Sequence, residues 1–84
     1  MGKKLVGKIA HYFDKISVAV IALSDTLKEG DEISIEGAVT NVQQTASSIQ
    51  IDKKPVESAK KGQSVGIKVQ ERVREGDKVF RVEE

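Results

Sequence analysis

Apolar and polar residues alternate in short runs along this chain, and glycine-containing turns break the runs before they exceed strand length. Leu5, Gly7, Ile9, His11 and Phe13 lie two apart with Lys4, Lys8, Ala10 and Tyr12 between them, which predicts a half-buried strand over 4–13. Val65, Ile67 and Val69 alternate in the same way after Gly62. Lys28-Glu29-Gly30-Asp31 leads into Glu32-Ile33-Ser34-Ile35-Glu36, and Arg74-Glu75-Gly76-Asp77 leads into Lys78-Val79-Phe80-Arg81-Val82. The two segments echo each other through shared turn chemistry. Glycine takes a positive φ at little steric cost, and aspartate bonds nearby backbone amides before an alternating strand begins. The echo is too short to count as an internal repeat.

Between these segments the pattern is less decided. Ile16, Ala19, Val20 and Leu23 satisfy a helical spacing, and Asp14 stands where it would cap a helix. Four β-branched residues among the eight from Ile16 to Leu23, with no Glu, Lys or Arg, favour instead a strand buried on both faces. Val39, Val42, Ile49 and Ile51 mark a further strand region around a polar Gln43–Ser48 centre, either a bent strand or a wide hairpin. Pro55 to Gly62 reads as a turn or a single helical turn ended by Gly62. About six short strands then imply an antiparallel barrel or sandwich. A closed barrel is preferred, because closure removes the exposed edges that template aggregation.

With 84 residues the chain falls below the usual domain size of roughly 100–150, so it is expected to form one domain over 1–84. Its 38% hydrophobic and 32% charged content is that of an ordinary globular chain. The absence of cysteine excludes disulfides, cysteine-bound zinc, iron–sulfur ligation and thiol catalysis. The opening MGKKLVGKIAHYF lacks the apolar run and small-residue site of a secretory signal, and Val6 stands where myristoylation requires Ser or Thr. The longest apolar stretch, Val18 to Leu23, is far short of the ~20 residues of a membrane-spanning helix. A cytoplasmic location without membrane attachment is therefore expected.

Chemistry-bearing residues are few. His11 is the only histidine, and its alternating position suits a core or rim residue with one ring nitrogen bonded to backbone. With Asp14 it would offer a metal only two ligands. No acid/base pair, catalytic residue, metal site or cofactor is expected. No phosphate-loop or G-x-G-x-x-G pattern occurs, so the chain alone should not bind GTP. The formal net charge is +1, so a polyanion would have to be met by a local patch. The densest is Lys53, Lys54, Lys60 and Lys61 around Pro55; Lys3, Lys4 and Lys8 form a second group, and Lys68, Arg72 and Arg74 a third. Each group reads either as a phosphate-binding patch or as a solvated surface.

Several ordered blocks carry a resemblance. They are Gly7-Lys8-Ile9, Leu27-Lys28-Glu29-Gly30-Asp31-Glu32-Ile33, Ser48-Ile49-Gln50, the V-x-x-A-x-x-G-x-x-V-G-I block from Val56 to Ile67, and Glu75-Gly76-Asp77-Lys78-Val79-Phe80. Together they resemble domain II of the translational GTPases such as elongation factor Tu, over nearly the whole chain. The same barrel is found as a C-terminal appendage of a collagenase-like peptidase family linked to RNA modification. The His11-Tyr12-Phe13-Asp14 hairpin with its apolar return strand is more similar to small stand-alone elongation factor-like proteins. The resemblance implies a closed six-stranded barrel of the domain II type. It also implies a surface that in elongation factor Tu helps hold the 3′ end of aminoacyl-tRNA through a glutamate, where this chain has Gln50.

Two functions are expected from this reading, neither enzymatic. In the first, the chain is an adaptor for tRNA, rRNA or the ribosome in translation or RNA modification, using Lys53, Lys54, Lys60 and Lys61 with Gln50, Arg72 and Arg74. In the second, it is a protein-interaction module that docks on a partner enzyme such as a collagenase-like peptidase, using Tyr12, Phe13 and Phe80.

Overall fold

The apolar run at 18–23 forms a strand, and alternation governs the rest of the chain. In the computed structural model, which describes residues 2–83, the strands are β1 (Gly2–Phe13), β2 (Val18–Leu23), β3 (Leu27–Lys28), β4 (Glu32–Glu36), β5 (Asn41–Thr45), β6 (Gln50–Ile51), β7 (Lys54–Pro55), β8 (Ser58–Ala59), β9 (Ser64–Lys68) and β10 (Lys78–Glu83). No helix occurs among the described residues. The Pro55–Gly62 segment holds two short strands and the start of a turn. The 39–51 region is neither a bent strand nor a hairpin, because β5 pairs with β4 while β6 pairs with β7 and β9.

One antiparallel sheet runs β5-β4-β10-β1-β2-β9-β6-β7, and β3 pairs with β8 in a second, two-stranded sheet. The six longer strands, β5 to β9 in that order, wrap the core, but the expected closed barrel is not formed. No backbone ladder joins β5 to β9. Gln44 of β5 spans the gap with its side chain: its Nε2 donates to the Lys68 carbonyl at 2.8 Å, and its Oε1 accepts from the Gln70 N–H at 2.9 Å. An amide side chain carries a donor and an acceptor, so it satisfies the two backbone groups that a further strand would have paired.

Three turns share one device. Gly30, Gly62 and Gly76 have φ of 94°, 90° and 89°, and in each case the next residue donates its N–H to the carbonyl two positions before the glycine. That next residue, Asp31, Gln63 or Asp77, also accepts at its side chain the N–H of the turn's first residue, Lys28, Lys60 or Arg74. Each turn then clamps one strand residue. The glycine N–H donates to the carbonyl of Ala46, Leu23 or Ile9, whose own N–H donates back to the carbonyl of Asp31, Gln63 or Asp77. This is a β-bulge with glycine in the left-handed position, and it bends each strand entry over the core. The Gly-Asp echo in the sequence marks two of the three; the third uses Gln63 in place of aspartate.

The core gathers Val6, Ile9, Ala19, Ile21, Leu23, Leu27, Ile33, Ile35, Ile49, Val65, Ile67 and Val79, all buried. Ala19, Ile21 and Leu23 alternate inward from β2, whereas Val18 and Val20 are half-exposed, so the expected burial of this strand on both faces does not hold. Residue alternation sends them to the outer face, where they line a groove.

Two ion pairs anchor the start of β1: Lys3 to Glu36 of β4, and Lys4 to Asp25 at 2.9 Å. The hydrogen bond from Lys3, then that from Ser34, holds the Glu36 carboxyl below its ordinary range; the hydrogen bond from Lys4, then the Thr26 amide, does the same for Asp25. The unfolded chain therefore binds these protons more readily than the folded one. The stabilisation is complete above the ordinary carboxylate range near pH 4 and is lost as pH falls through the lower folded values. Thermal stability followed by circular dichroism is expected to fall slightly as pH drops below about 4, and a Lys3→Met/Lys4→Met variant is expected to lose part of that pH dependence.

Candidate functional site

The sheet register sets a row of residues side by side on the outer face. His11 pairs with Val20, Val20 with Gly66, Gly66 with Gln50, and Gln50 with Pro55. Side chains alternate along each strand, so Val20 and Gln50 stand on either side of Gly66, which has none. Val65 and Ile67 beside it point into the core. The gap is the floor of a groove of about 540 Å³, walled by Phe13, Ile16 and Val18 on one side and by Gln50, Asp52 and Lys53 on the other, with Ser64 on the floor. Phe13 is 46% exposed and Ile16 59%. The His11 and Phe13 rings meet edge to face, with centroids 4.4 Å apart and planes at 65°. His11 Nδ1 lies 3.0 Å from Glu75 Oε2, so the expected backbone partner is replaced by a carboxylate, and the ring is half-exposed rather than in the core.

Lys53 reaches the groove from a two-residue hairpin turn between β6 and β7, in which Asp52 (φ 52°) and Lys53 (φ 67°) are both left-handed. Such a turn matches the twist of its strands and favours Asn-Gly or Asp-Gly. Here a lysine holds the position that glycine would fill most easily. It has no ion-pair partner among the described residues.

Of the residues singled out from the sequence, the groove brings together Phe13, Gln50 and Lys53. Lys54 is exposed on β7, while Lys60 and Lys61 sit in the turn that clamps Leu23. Arg72 and Arg74 lie in the connection from β9 to β10, the Arg74 N–H being taken by Asp77. Tyr12 packs against the core, and Phe80 is half-buried with the Lys3 ammonium 5.7 Å from its ring centroid. The basic residues thus do not line one cavity, nor do the three aromatics. Ile16, Val18, Val20, Asp52, Ser64 and Gly66 were not expected at a site; the register across β2, β9 and β6 places Val18, Val20, Ser64 and Gly66 there, and the turns after β1 and β6 bring Ile16 and Asp52. Among the described residues no cluster of three His, Cys, Asp or Glu side chains could hold a metal ion, and no helix is long and apolar enough to cross a membrane.

The fold and groove define an all-β module with one concave apolar surface beside a lysine. No protein-family model matches the chain. It is 45% identical over 80 residues to an uncharacterized protease of Methanocaldococcus jannaschii, covering 94% of this chain and 20% of that protein. It is 42% identical over 81 residues to a collagenase of Porphyromonas gingivalis, covering 94% of this chain and 22% of that one. The chain thus spans about a fifth of the length of the curated relatives it matches. The C-terminal domain of a U32 peptidase from Geobacillus thermoleovorans has the same fold in two crystal structures. One has a TM-score of 0.88 at 18% identity, covering 95% of this chain and 93% of that domain. The other has a TM-score of 0.87 at 20% identity, covering 94% and 99%. These likenesses support the collagenase-like side of the sequence resemblance, and the elongation factor Tu side is not confirmed by them.

Proposed function

We propose that this chain is a non-enzymatic interaction module that docks on a collagenase-like enzyme. The observation that carries this reading is the match of 94% of the chain to about a fifth of a protease at 45% identity. A segment of this size, joined elsewhere to a much larger protein, has the dimensions of a separate domain, and an accessory unit that works by contact is consistent with that. The groove favours the same reading over RNA binding. Its lining offers a single aromatic face, that of Phe13, rather than a series on which successive bases could stack, and only one of the four lysines expected to grip phosphates lines it.

Affinity capture of the tagged chain from a lysate of its source cells, with and without RNase, tests the reading. The expected result is a collagenase-like protein recovered in stoichiometric amount, unchanged by RNase and by Lys60→Glu/Lys61→Glu. Recovery of tRNA or ribosomal material that vanishes with RNase, or of no collagenase-like protein, overturns it.

A further inference from the structure

We infer that the groove around Gly66 is the docking surface itself, and that its occupant is an extended segment of the partner protein bearing an apolar side chain next to a carboxylate. This rests on the docking reading above and adds to it the place and the chemistry of contact.

The first observation is the glycine. Gly66 lies in the interior of β9 with an ordinary φ, so the backbone does not call for glycine, and a Cβ there would meet only the Val18 Cγ1 methyl, at 3.3 Å. A left-handed backbone does not explain its presence, and a side chain there would crowd only Val18, a half-exposed residue of the outer face that would have to give by a few tenths of an ångström. Glycine weakens a strand interior and is used at a bulge, at a sharp bend or where another group comes close, and the β2–β9 ladder runs through Gly66 without a bulge. Here the missing side chain is what opens the floor between Val20 and Gln50.

The second is the lining. Phe13, Ile16, Val18 and Val20 form a continuous apolar wall, while Gln50 and Ser64 offer hydrogen bonds. A concave apolar wall with a few polar groups suits a side chain inserted from a bound segment. The third is charge. Lys53 stands at the rim without an ion-pair partner among the described residues, and Lys54 follows it, so a carboxylate beside the inserted side chain complements this edge. Asp52 lies beside Lys53 in the same turn and shares the lining, so the carboxylate is favoured only where it meets the Lys53 ammonium and stays clear of Asp52.

The test titrates the isotope-labelled full chain with overlapping 12-residue peptides tiled over the Methanocaldococcus jannaschii protease outside the matched segment, read by backbone NMR. The expected result is that at least one tile with an aliphatic or aromatic residue beside Asp or Glu shifts the amides of Val18, Val20, Gln50 and Gly66. Two variants then separate site from fold. Gly66→Val fills the floor with a residue suited to a strand and is expected to weaken that tile by about tenfold or more, or 1.4 kcal/mol. Lys53→Gly relieves a left-handed lysine, so it is expected to raise the melting temperature while also weakening the tile. The inference is overturned if no tile shifts these amides, if Gly66→Val binds as the parent does, or if an RNA oligonucleotide or anionic vesicles occupy the groove instead. Should a collagenase-like protein still be captured with either variant, the groove assignment falls while the docking reading stands.

Discussion

Gly7→Ala is expected to destabilise the protein by about 2–3 kcal/mol, although it adds a single methyl group. Gly7 is buried in β1, between Val79 of β10 and Leu23 of β2, at the point where the β1–β10 register shifts. A Cβ at this position would lie 2.7 Å from the Ala22 carbonyl oxygen and 2.7 Å from Ile21 Cγ2. The first of these is backbone held in a ladder, so β2 itself must move, and it carries Ala19, Ile21 and Leu23 of the core with it. For a chain of this size such a loss lowers the melting temperature by roughly 10–20 °C. Gly2→Ala is the control, since its Cβ meets nothing within 4 Å and should leave the melting temperature unchanged. Equal melting curves for the two variants would show that β1 and β2 are not packed at the distance described.

Gln44→Leu is expected to destabilise by about 2 kcal/mol despite its similar volume and an apolar character that suits a buried position. Gln44 is only 6% exposed, and its side chain hydrogen-bonds the β5 end of the sheet to Lys68 of β9 and to Gln70 just beyond it. Leucine leaves the Lys68 carbonyl and the Gln70 N–H without partners, and each such group has to be resolvated or left unsatisfied. Hydrogen exchange gives a signature that ordinary core damage would not produce. The Gln70 amide should lose protection first, well before amides of the β1–β2 ladder. Uniform acceleration across the sheet would instead mean that Gln44 acts only through global stability.

The two residues differ in how far the sequence announces them. Gly7 stands within an alternating run and within the Gly-Lys-Ile block, so its strand is legible, but its contact with Ala22 depends on the register between β1 and β2. Gln44 belongs to a polar stretch that reads as solvent-facing, and nothing local distinguishes it from Gln43. The turns lie at the other extreme: Gly30 and Gly76 with the aspartates after them are readable because a left-handed residue and a side-chain acceptor are local requirements. Gly62 with Gln63 does the same work, but the glutamine disguises it. For the candidate site, Phe13, Gln50 and Lys53 drew attention by type. Ile16, Val18 and Val20 did not, because an apolar residue is assigned to a core until the structure shows which face it occupies. Lys60, Lys61, Arg72 and Arg74 drew attention by charge, yet the turns that carry them lie outside the groove.

The sequence by itself determined an all-β chain and the positions of its main turns, because alternation and left-handed glycines are properties of a few neighbouring residues. Only the tertiary structure decided that the sheet stays open and is bridged by Gln44, and that Val20, Gly66 and Gln50 share one row. Both depend on register between strands far apart in the chain. A shift of one residue exchanges the two faces of a strand, and no short stretch of sequence records it.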